Sequence, residues 1–268
     1  MAATPFVTIE QIQGHSSSSP YVGQNVTTAG IVTGIAHWKS HGDDRYGFFI
    51  QNGTGPWKGV FVYTYDKSPT YDNGTPLKIG DHVEVTGKVQ ESYGRTQIGY
   101  VKSIVPTDIP LETPEPAVIK TGDLTDESTA EQWESVLVRV ENINVTTTTD
   151  NYGEWKVDDG SGSAIVDDLM YSYQATEGQK LKYVTGVVYF YNNFKIEPRS
   201  ADDIKEVITP IQEIQSNTIN GGGNSTYHGH IVTTYGVVTA VTENGTFIQN
   251  GTGPLEWNLC IYNCLELS

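Results

Sequence analysis

The densest group of side chains that could do chemistry lies in "HWKSHGDDR", residues 37–45. Imidazoles and carboxylates are the ligands that hold the metal ions of phosphoester hydrolases. This stretch is therefore a candidate cation site, for Ca²⁺ or Mg²⁺. The alternative is a long solvated loop, because a later copy of the same stretch has a loop eight residues shorter, without His or Asp. The candidate ligands are His37, His41, Asp43 and Asp44.

The rest of the sequence has no pattern typical of an enzyme. Asp158-Asp159-Gly160 lacks the spacing of an EF-hand loop and is typical of a β-turn. No Ser/His/Asp or Cys/His arrangement and no glycine-rich phosphate loop is suggested. Cys260 and Cys264 are too few for a zinc site, and their spacing leaves open whether they pair or are two small apolar residues. We predict that this chain is not an enzyme.

The sequence that would form the elements positioning these side chains contains an internal repeat. Ile-Gln-Asn-Gly-Thr-Gly-Pro occurs at 50–56 and again at 248–254. Val26–Thr33 likewise returns as Val232–Thr239, at a separation of 206 residues rather than 198. Two matched blocks that differ by one loop length indicate a duplicated domain.

The first copy predicts a five-stranded barrel. β-Branched runs and a period of two indicate strands at 26–35, 47–51, 59–65 and 82–89, and "SYGRTQIGYV" (92–101) then makes a turn and a fifth strand. A longer excursion separates the third strand from the fourth. This is the strand order of an OB-fold barrel.

The middle segment repeats this plan, and the last segment repeats part of it. "SVLVRVENINV" (135–145) alternates up to Asn142, where the parity shift predicts a β-bulge. Single helical turns are expected at 9–13, 129–134 and 211–215. We predict an all-β chain of tandem five-stranded OB-fold-like barrels, with module 1 at 1–112, module 2 at 113–207, and a third, incomplete barrel of three strands at 208–268.

Aromatic and basic residues fall where an OB-fold meets its ligands. That face spans the second and third strands and the loops after the first and fourth. Single-strand binders place rings and cations there, because bases stack on rings. The alternatives are packing between barrels and stacking on saccharides. The middle unit offers Tyr152, Trp155, Lys156, Tyr189, Tyr191 and Phe194. The nucleic-acid-binding candidates of the first unit are Trp38, Lys39, Arg45, Trp57, Lys58, Tyr63, Tyr93 and Arg95.

Composition bears on partners and location. The net charge of −16 opposes a general affinity for phosphate backbones. The longest apolar runs are strand-sized and the first residues form no signal peptide, so we expect no membrane span and a leader absent from this sequence. The number of N-x-S/T sequons predicts a secreted, extracellular glycoprotein, although several are Asn-Gly-Thr and typical of turns. The sequons begin at Asn25, Asn52, Asn73, Asn144, Asn224, Asn244 and Asn250.

Several stretches carry a family resemblance. "SPYVGQNVTTAGIVTGI", "GFFIQNGTGP" and "LKIGDHVEVTGKVQESYGRTQI" resemble the OB-fold (YhcR-like) module region of secreted multidomain nucleases. The resemblance covers 8–105 and 209–262, and more loosely 118–198. Those nucleases carry such modules ahead of an endonuclease/exonuclease/phosphatase-type or calcineurin-like phosphoesterase domain. The resemblance implies that any nuclease activity lies in a domain absent from this chain.

Two functions remain open. The first is a non-catalytic module region that binds or positions single-stranded nucleic acid for a nuclease. The second is an extracellular structural or assembly subunit, a filament or surface spacer. Three strands of a barrel leave open edges, which other copies of the chain could complete by strand donation.

Overall fold

The computed structural model describes residues 4–216, 225–243, 245–252 and 257–261. Strands dominate, as predicted. The strands are β1 (Asn25–Ser40), β2 (Asp43–Gln51), β3 (Gly59–Tyr65), β4 (His82–Ser92), β5 (Arg95–Pro106), β6 (Ala117–Val118), β7 (Leu137–Thr147), β8 (Trp155–Asp158), β9 (Ser163–Val166), β10 (Lys180–Tyr191), β11 (Asn193–Glu197), β12 (Ile204–Glu206), β13 (Val237–Thr242), β14 (Gly245–Gln249) and β15 (Trp257–Ile261).

Helices are short, as predicted. They are α1 (Ile9–Gln13), α2 (Glu127–Ala130) and α3 (Ile211–Ser216), with 3₁₀ turns at Thr121–Leu124, Glu131–Trp133 and Ala201–Asp203. Within the described ranges, no helix has the length and apolar character to cross a bilayer.

The first barrel closes in the order β1-β2-β3-β5-β4. Its long first strand serves both neighbours, because residues 25–31 pair with β4 and residues 31–40 pair with β2. Alternate residues point inward, so Phe48 and Ile50 of β2 join Val60 and Val62 of β3 in the barrel core. This is the OB-fold order predicted from the sequence.

The second barrel has the same order, β7-β8-β9-β11-β10, and a pairing of β10 with β7 closes it. Trp155 is the largest side chain in its core. Asn142 has φ of +55°, and the buried face of β7 switches there from Val140 to Ile143. The change of parity predicted at Asn142 is therefore confirmed. Asparagine suits this position because it adopts the left-handed conformation more readily than most residues.

The two barrels form one compact unit. Phe49 and Phe61 face out of the first barrel and pack against Leu137, Val187 and Tyr189 of the second. Burial of each phenylalanine contributes about 1.5–3 kcal/mol.

Polar contacts support the same interface. The Gln51 side chain accepts a hydrogen bond from Leu137 N at 2.8 Å. Thr96 N donates to Glu134 Oε1 at 3.0 Å. The second barrel thus covers much of the β2–β3 face on which an OB-fold normally takes its ligand.

Residues 178–180 and 206–268 belong to a second compact unit. Its described sheet has the order β13-β14-β15, and the three-stranded third module remains a prediction. The register shift between Val238 and Ala240 repeats the one between Val32 and Gly34. Such agreement in bulge position supports the duplication. The module limits at 112/113 and 207/208 remain predictions.

Candidate functional site

A cleft of about 760 Å³ lies between the two barrels of the first unit. The first barrel lines it with the β1–β2 hairpin, Tyr63 of β3 and the β4–β5 hairpin. The second barrel lines it with Tyr152, residues 167–169 and the β10–β11 hairpin. The cleft is the part of the OB-fold ligand face that the second barrel leaves open. We refer to it as the inter-barrel cleft.

Three exposed tyrosines surround the inter-barrel cleft. Tyr93 is 80% exposed, Tyr152 83% and Tyr191 48%. The rings of Tyr93 and Tyr191 meet edge to face, with centroids 6.1 Å apart. Deeper in, Trp38 and Tyr63 are half-buried and stacked at 5.9 Å. The cleft therefore offers flat apolar surfaces from both barrels.

Backbone geometry holds Tyr93 out toward solvent. Ser92 pairs with Arg95, so Tyr93 and Gly94 form a two-residue hairpin turn with φ of +55° and +83°. Such turns favour Asn-Gly, and a bulky residue with positive φ costs about 1–3 kcal/mol. Tyrosine stands here despite that cost, which is typical of a functional position.

Arg95 lies inside the contact between the barrels. It is 5% exposed, and its guanidinium carbon lies 4.9 Å from the Phe61 ring and 4.4 Å from the Tyr189 ring. Its Nη1 donates to Phe190 O at 2.9 Å. A guanidinium held in this way supports barrel packing, and it is poorly placed to reach a phosphate. Packing between barrels, the alternative given for these residues, is the role observed.

Lys195 is a second buried cation of the inter-barrel cleft. Its Nζ donates to Glu154 Oε1 at 2.5 Å and to Asp167 Oδ2 at 2.8 Å. Burial opposes the charge, but the hydrogen bonds with Asp167 and Glu154 outweigh it and raise the pKa of Lys195. The lysine is neutralised by two carboxylates.

Two further carboxyls beside this network hold their protons more tightly than usual. Burial raises the pKa of Glu197 well above its ordinary value, and the charge of Asp167 adds to the effect. The pKa of Asp168 is raised for the same two reasons. The sequence did not point to Lys195 or Glu197, although their alternation with Ile196 in β11 was a usable signal.

Of the four candidate cation ligands, His37 and Asp44 contact each other, and the other two contact different partners. His37 Nε2 lies 2.9 Å from Asp44 Oδ1, Asp43 pairs with Arg45 at 3.1 Å, and His41 Nδ1 contacts Ser40 Oγ. The hydrogen bond from His37 lowers the pKa of Asp44. Throughout the described ranges, no three His, Cys, Asp or Glu side chains are grouped to hold a metal ion.

The expected loop at 37–45 is wrong. β1 and β2 run on as a hairpin to the pair Ser40–Asp43, and His41 and Gly42 form its turn with φ of +53° and +89°. The polar composition suggested a loop, but the strands continue here because His41 and Gly42 form a tight hairpin turn.

The remaining binding candidates divide between the cleft and other places. Lys39 lines the cleft. Arg45 is paired with Asp43 and borders an adjoining depression. Trp57 and Lys58 lie outside the cleft: Trp57 N donates to Gln132 O at 2.7 Å, and Lys58 pairs with Glu112 at 3.7 Å.

The middle-unit candidates divide in the same way. Tyr152, Tyr189 and Tyr191 line the cleft. Trp155 and Phe194 are instead core residues of the second barrel, and Lys156 is exposed on β8. Buried and exposed positions alternate along β8, which separates Trp155 from Lys156. The Asp158–Gly160 segment is the predicted turn, with Asp158 Oδ1 accepting from Gly160 N at 2.6 Å.

The sequons differ in exposure. Asn25, Asn73 and Asn144 are exposed, and Asn250 is half-exposed. Asn52 Oδ1 accepts a hydrogen bond from Glu112 N at 2.9 Å. Asn224, Asn244 and Cys264 fall outside the described residues, and Cys260 lies on β15.

The strand order of both barrels defines the chain as a tandem OB-fold-like protein. It matches no family model and no curated protein sequence. Among solved structures, it is similar to an OB domain from Thermoplasma acidophilum, with 21% identity over 41% of this chain and 95% of that one, at a TM-score of 0.27.

Two other solved structures are similar. One is the second OB-fold domain of replication protein A from Methanococcus maripaludis, with 16% identity, 35% and 91% coverage, and a TM-score of 0.22. The other is a deletion mutant of the single-stranded DNA binding protein from Thermus aquaticus, with 11% identity, 69% and 94% coverage, and a TM-score of 0.23.

Proposed function

We propose that this chain is a non-catalytic binding region that takes single-stranded nucleic acid in the inter-barrel cleft. The observation that carries the proposal is the ring of exposed tyrosines, Tyr93, Tyr152 and Tyr191, at the open part of an OB-fold ligand face. Stacking of a base on such a ring is worth about 1–3 kcal/mol.

The charges of the cleft shape the expected binding mode. Lys195 is neutralised by Glu154 and Asp167, and Arg95 is buried between rings. Lys39 is the exposed cation that remains on the cleft wall. Affinity therefore comes mainly from stacking, and the cleft itself contributes little to the salt dependence of binding.

The wider setting is part of the same proposal. The resemblance of residues 8–105 and 209–262 to nuclease modules supports a role in positioning nucleic acid for a catalytic domain outside this sequence. The exposed sequons at Asn25, Asn73 and Asn144 support an extracellular site of action. Expression in a glycosylating secretory host, followed by intact mass before and after glycan removal, tests the second point.

Fluorescence titration with single-stranded oligonucleotides at low salt, with and without Mg²⁺ or Ca²⁺, tests the binding. We expect saturable quenching of Trp38, and Tyr93→Ala weakens binding roughly 5- to 150-fold. Phe6→Ala is the matched control, since Phe6 is 51% exposed and does not line the cleft. Absence of saturable binding contradicts the proposal, and saturation by neutral oligosaccharides of equal length instead assigns the rings to saccharide stacking.

The second candidate is assembly between copies by strand completion. The observation that favours it is the exposure of Tyr235, Val237 and Val241 on and beside β13, in a described sheet of three strands. Exposed apolar strand surface recruits further strands. Light scattering over a hundredfold range of concentration tests it: growth into larger species supports assembly, and a constant monomer mass contradicts it.

A further inference from the structure

A line of aromatic rings leaves the inter-barrel cleft along the surface of the first barrel. It consists of Trp38, Tyr63, Tyr65 and Tyr100, and we call it the aromatic track. Ring centroids are 5.9 Å apart from Trp38 to Tyr63, 4.3 Å from Tyr63 to Tyr65, and 5.7 Å from Tyr65 to Tyr100. Exposure rises along it, to 36% at Tyr65 and 60% at Tyr100. The track thus joins the cleft to open surface.

Two β-bulges aim the outer rings of the track. The register of β2 with β3 shifts between the pairs Tyr46–Tyr65 and Gly47–Tyr63. The register of β4 with β5 shifts between Thr86–Ser103 and Lys88–Gly99, so that Tyr100 falls within the irregular segment. Bulges re-aim side chains and concentrate beside functional sites.

The backbone at both bulges is strained. Tyr65 has φ of +61° and Tyr100 has φ of +46°. Glycine or asparagine fits this region of backbone space far more readily than an aromatic residue. The parallel pairing of β3 with β5, at Phe61–Gln97 and Val62–Ile98, then brings the two tyrosines side by side. Two strained, exposed tyrosines in contact indicate that the ring surface itself is what the positions provide.

Two exposed cations lie at the outer end of the track, in addition to Lys39 of the cleft. Tyr65 and Tyr100 border a depression of about 480 Å³ that Lys67 and Lys102 also line. Both lysines are exposed, and neither takes part in an ion pair among the described residues. Two carboxylates line the same depression. That of Asp72 is engaged by Ser103 Oγ at 2.6 Å and Ile104 N at 2.8 Å, and that of Asp66 is exposed.

We propose that the single-strand site extends from the inter-barrel cleft along the aromatic track, and that Lys67 and Lys102 contact backbone phosphates at its outer end. This rests on the proposed function and adds two things to it: the ligand is a polymer and it has a preferred minimum length. OB-fold single-strand sites take about 4–16 nucleotides. The cleft alone holds the shorter ligand, and the track adds affinity only when the strand is long enough to reach it.

The test compares oligothymidylates of 4 and 12 nucleotides with the full chain, in titrations repeated at several salt concentrations. Wild type should bind the longer strand at least tenfold more tightly. Tyr65→Gly and Tyr100→Gly remove the rings and relieve the positive φ, so the fold is retained. Each should weaken binding of the 12-mer roughly 5- to 150-fold and leave the 4-mer unchanged. Tyr100→Phe keeps the ring and should bind as wild type does.

A salt series isolates the lysines. The double variant Lys67→Gln with Lys102→Gln should make the negative slope of log K against log salt shallower by about 1.4 for the 12-mer. The slope for the 4-mer should not change. Equal affinity of wild type for both lengths overturns the track but leaves the cleft proposal standing. No saturable binding of either length overturns both, and an unchanged slope in the double variant overturns the phosphate contacts.

Discussion

Replacement of Gly59 by alanine tests how closely the two barrels pack. An added Cβ would lie 1.9 Å from Ser135 O, 2.4 Å from Ser135 C and 2.9 Å from Val136 N. All three are backbone atoms of the second barrel, so no rotamer change relieves the clash. Ser135 N and Val136 O are also tied to Val188, at 2.8 and 2.9 Å, where that barrel closes.

The expected cost follows from these contacts. Overpacking of a well-packed site costs about 1–3 kcal/mol, and loss of a closing hydrogen bond adds about 1 kcal/mol. We expect Gly59→Ala to destabilise the chain by about 3 kcal/mol, which lowers the Tm by about 6–12 °C for a unit of this size. Thermal unfolding followed by circular dichroism and calorimetry measures the change.

Gly99→Ala is the matched control. Its Cβ would lie 2.0 Å from Gln90 Oε1, nearly the same distance, but that atom ends a flexible side chain that can turn away. We expect a loss below about 1 kcal/mol. If Gly59→Ala costs no more than Gly99→Ala, the barrels do not pack through Gly59 and Ser135 as described, and the inter-barrel cleft loses its framework.

Two further perturbations test the electrostatics of the first unit. Burial, with the charges of Glu91 and Glu127, raises the pKa of Glu131 from 4.5 to about 7, so the folded chain holds a proton between these values that the unfolded chain has lost. The free energy of unfolding should therefore fall by about 1–3 kcal/mol as the pH rises from 4.5 to 7. Urea unfolding of Glu131→Gln over the same pH range should show a smaller fall. Lys195→Met leaves two carboxylates without their cation and should cost about 2–4 kcal/mol at pH 7, below the largest values for buried pairs because Glu154 is 34% exposed. A loss below about 0.5 kcal/mol, the range of ordinary surface substitutions, contradicts the ion-pair assignment.

Local pattern was enough to predict most strands. The strand at 59–65 and the helical turn at 9–13 have the predicted bounds, because each rests on short-range chemistry: β-branched alternation in one, and a capping box between Thr8 and Gln11 in the other. The parity shift at Asn142 was visible for the same reason. The hairpin through 37–45 was not predicted, because polar residues indicate exposure to solvent and do not determine whether the backbone is a strand or a loop.

The candidate site was predicted less completely. Tyr93, Lys39 and Trp38 were named from their place in an OB-fold plan, and they do line the inter-barrel cleft. Arg95 was named on the same grounds but lies between barrels. Tyr65 and Tyr100 were not named, because a bulge that turns a ring outward is set by the pairing of two strands distant in sequence.

The sequence by itself determined that this is a duplicated all-β chain with OB-fold strand order, since period-two patterns and turn residues are local properties. Only the tertiary structure decided which rings are exposed around the inter-barrel cleft. The second barrel covers Phe49, Phe61 and Arg95 and leaves Tyr93 and Tyr191 in the open. Which side of a strand is covered depends on what packs against it, and that partner lies about 130 residues away along the chain, as the contact between Phe61 and Tyr189 shows.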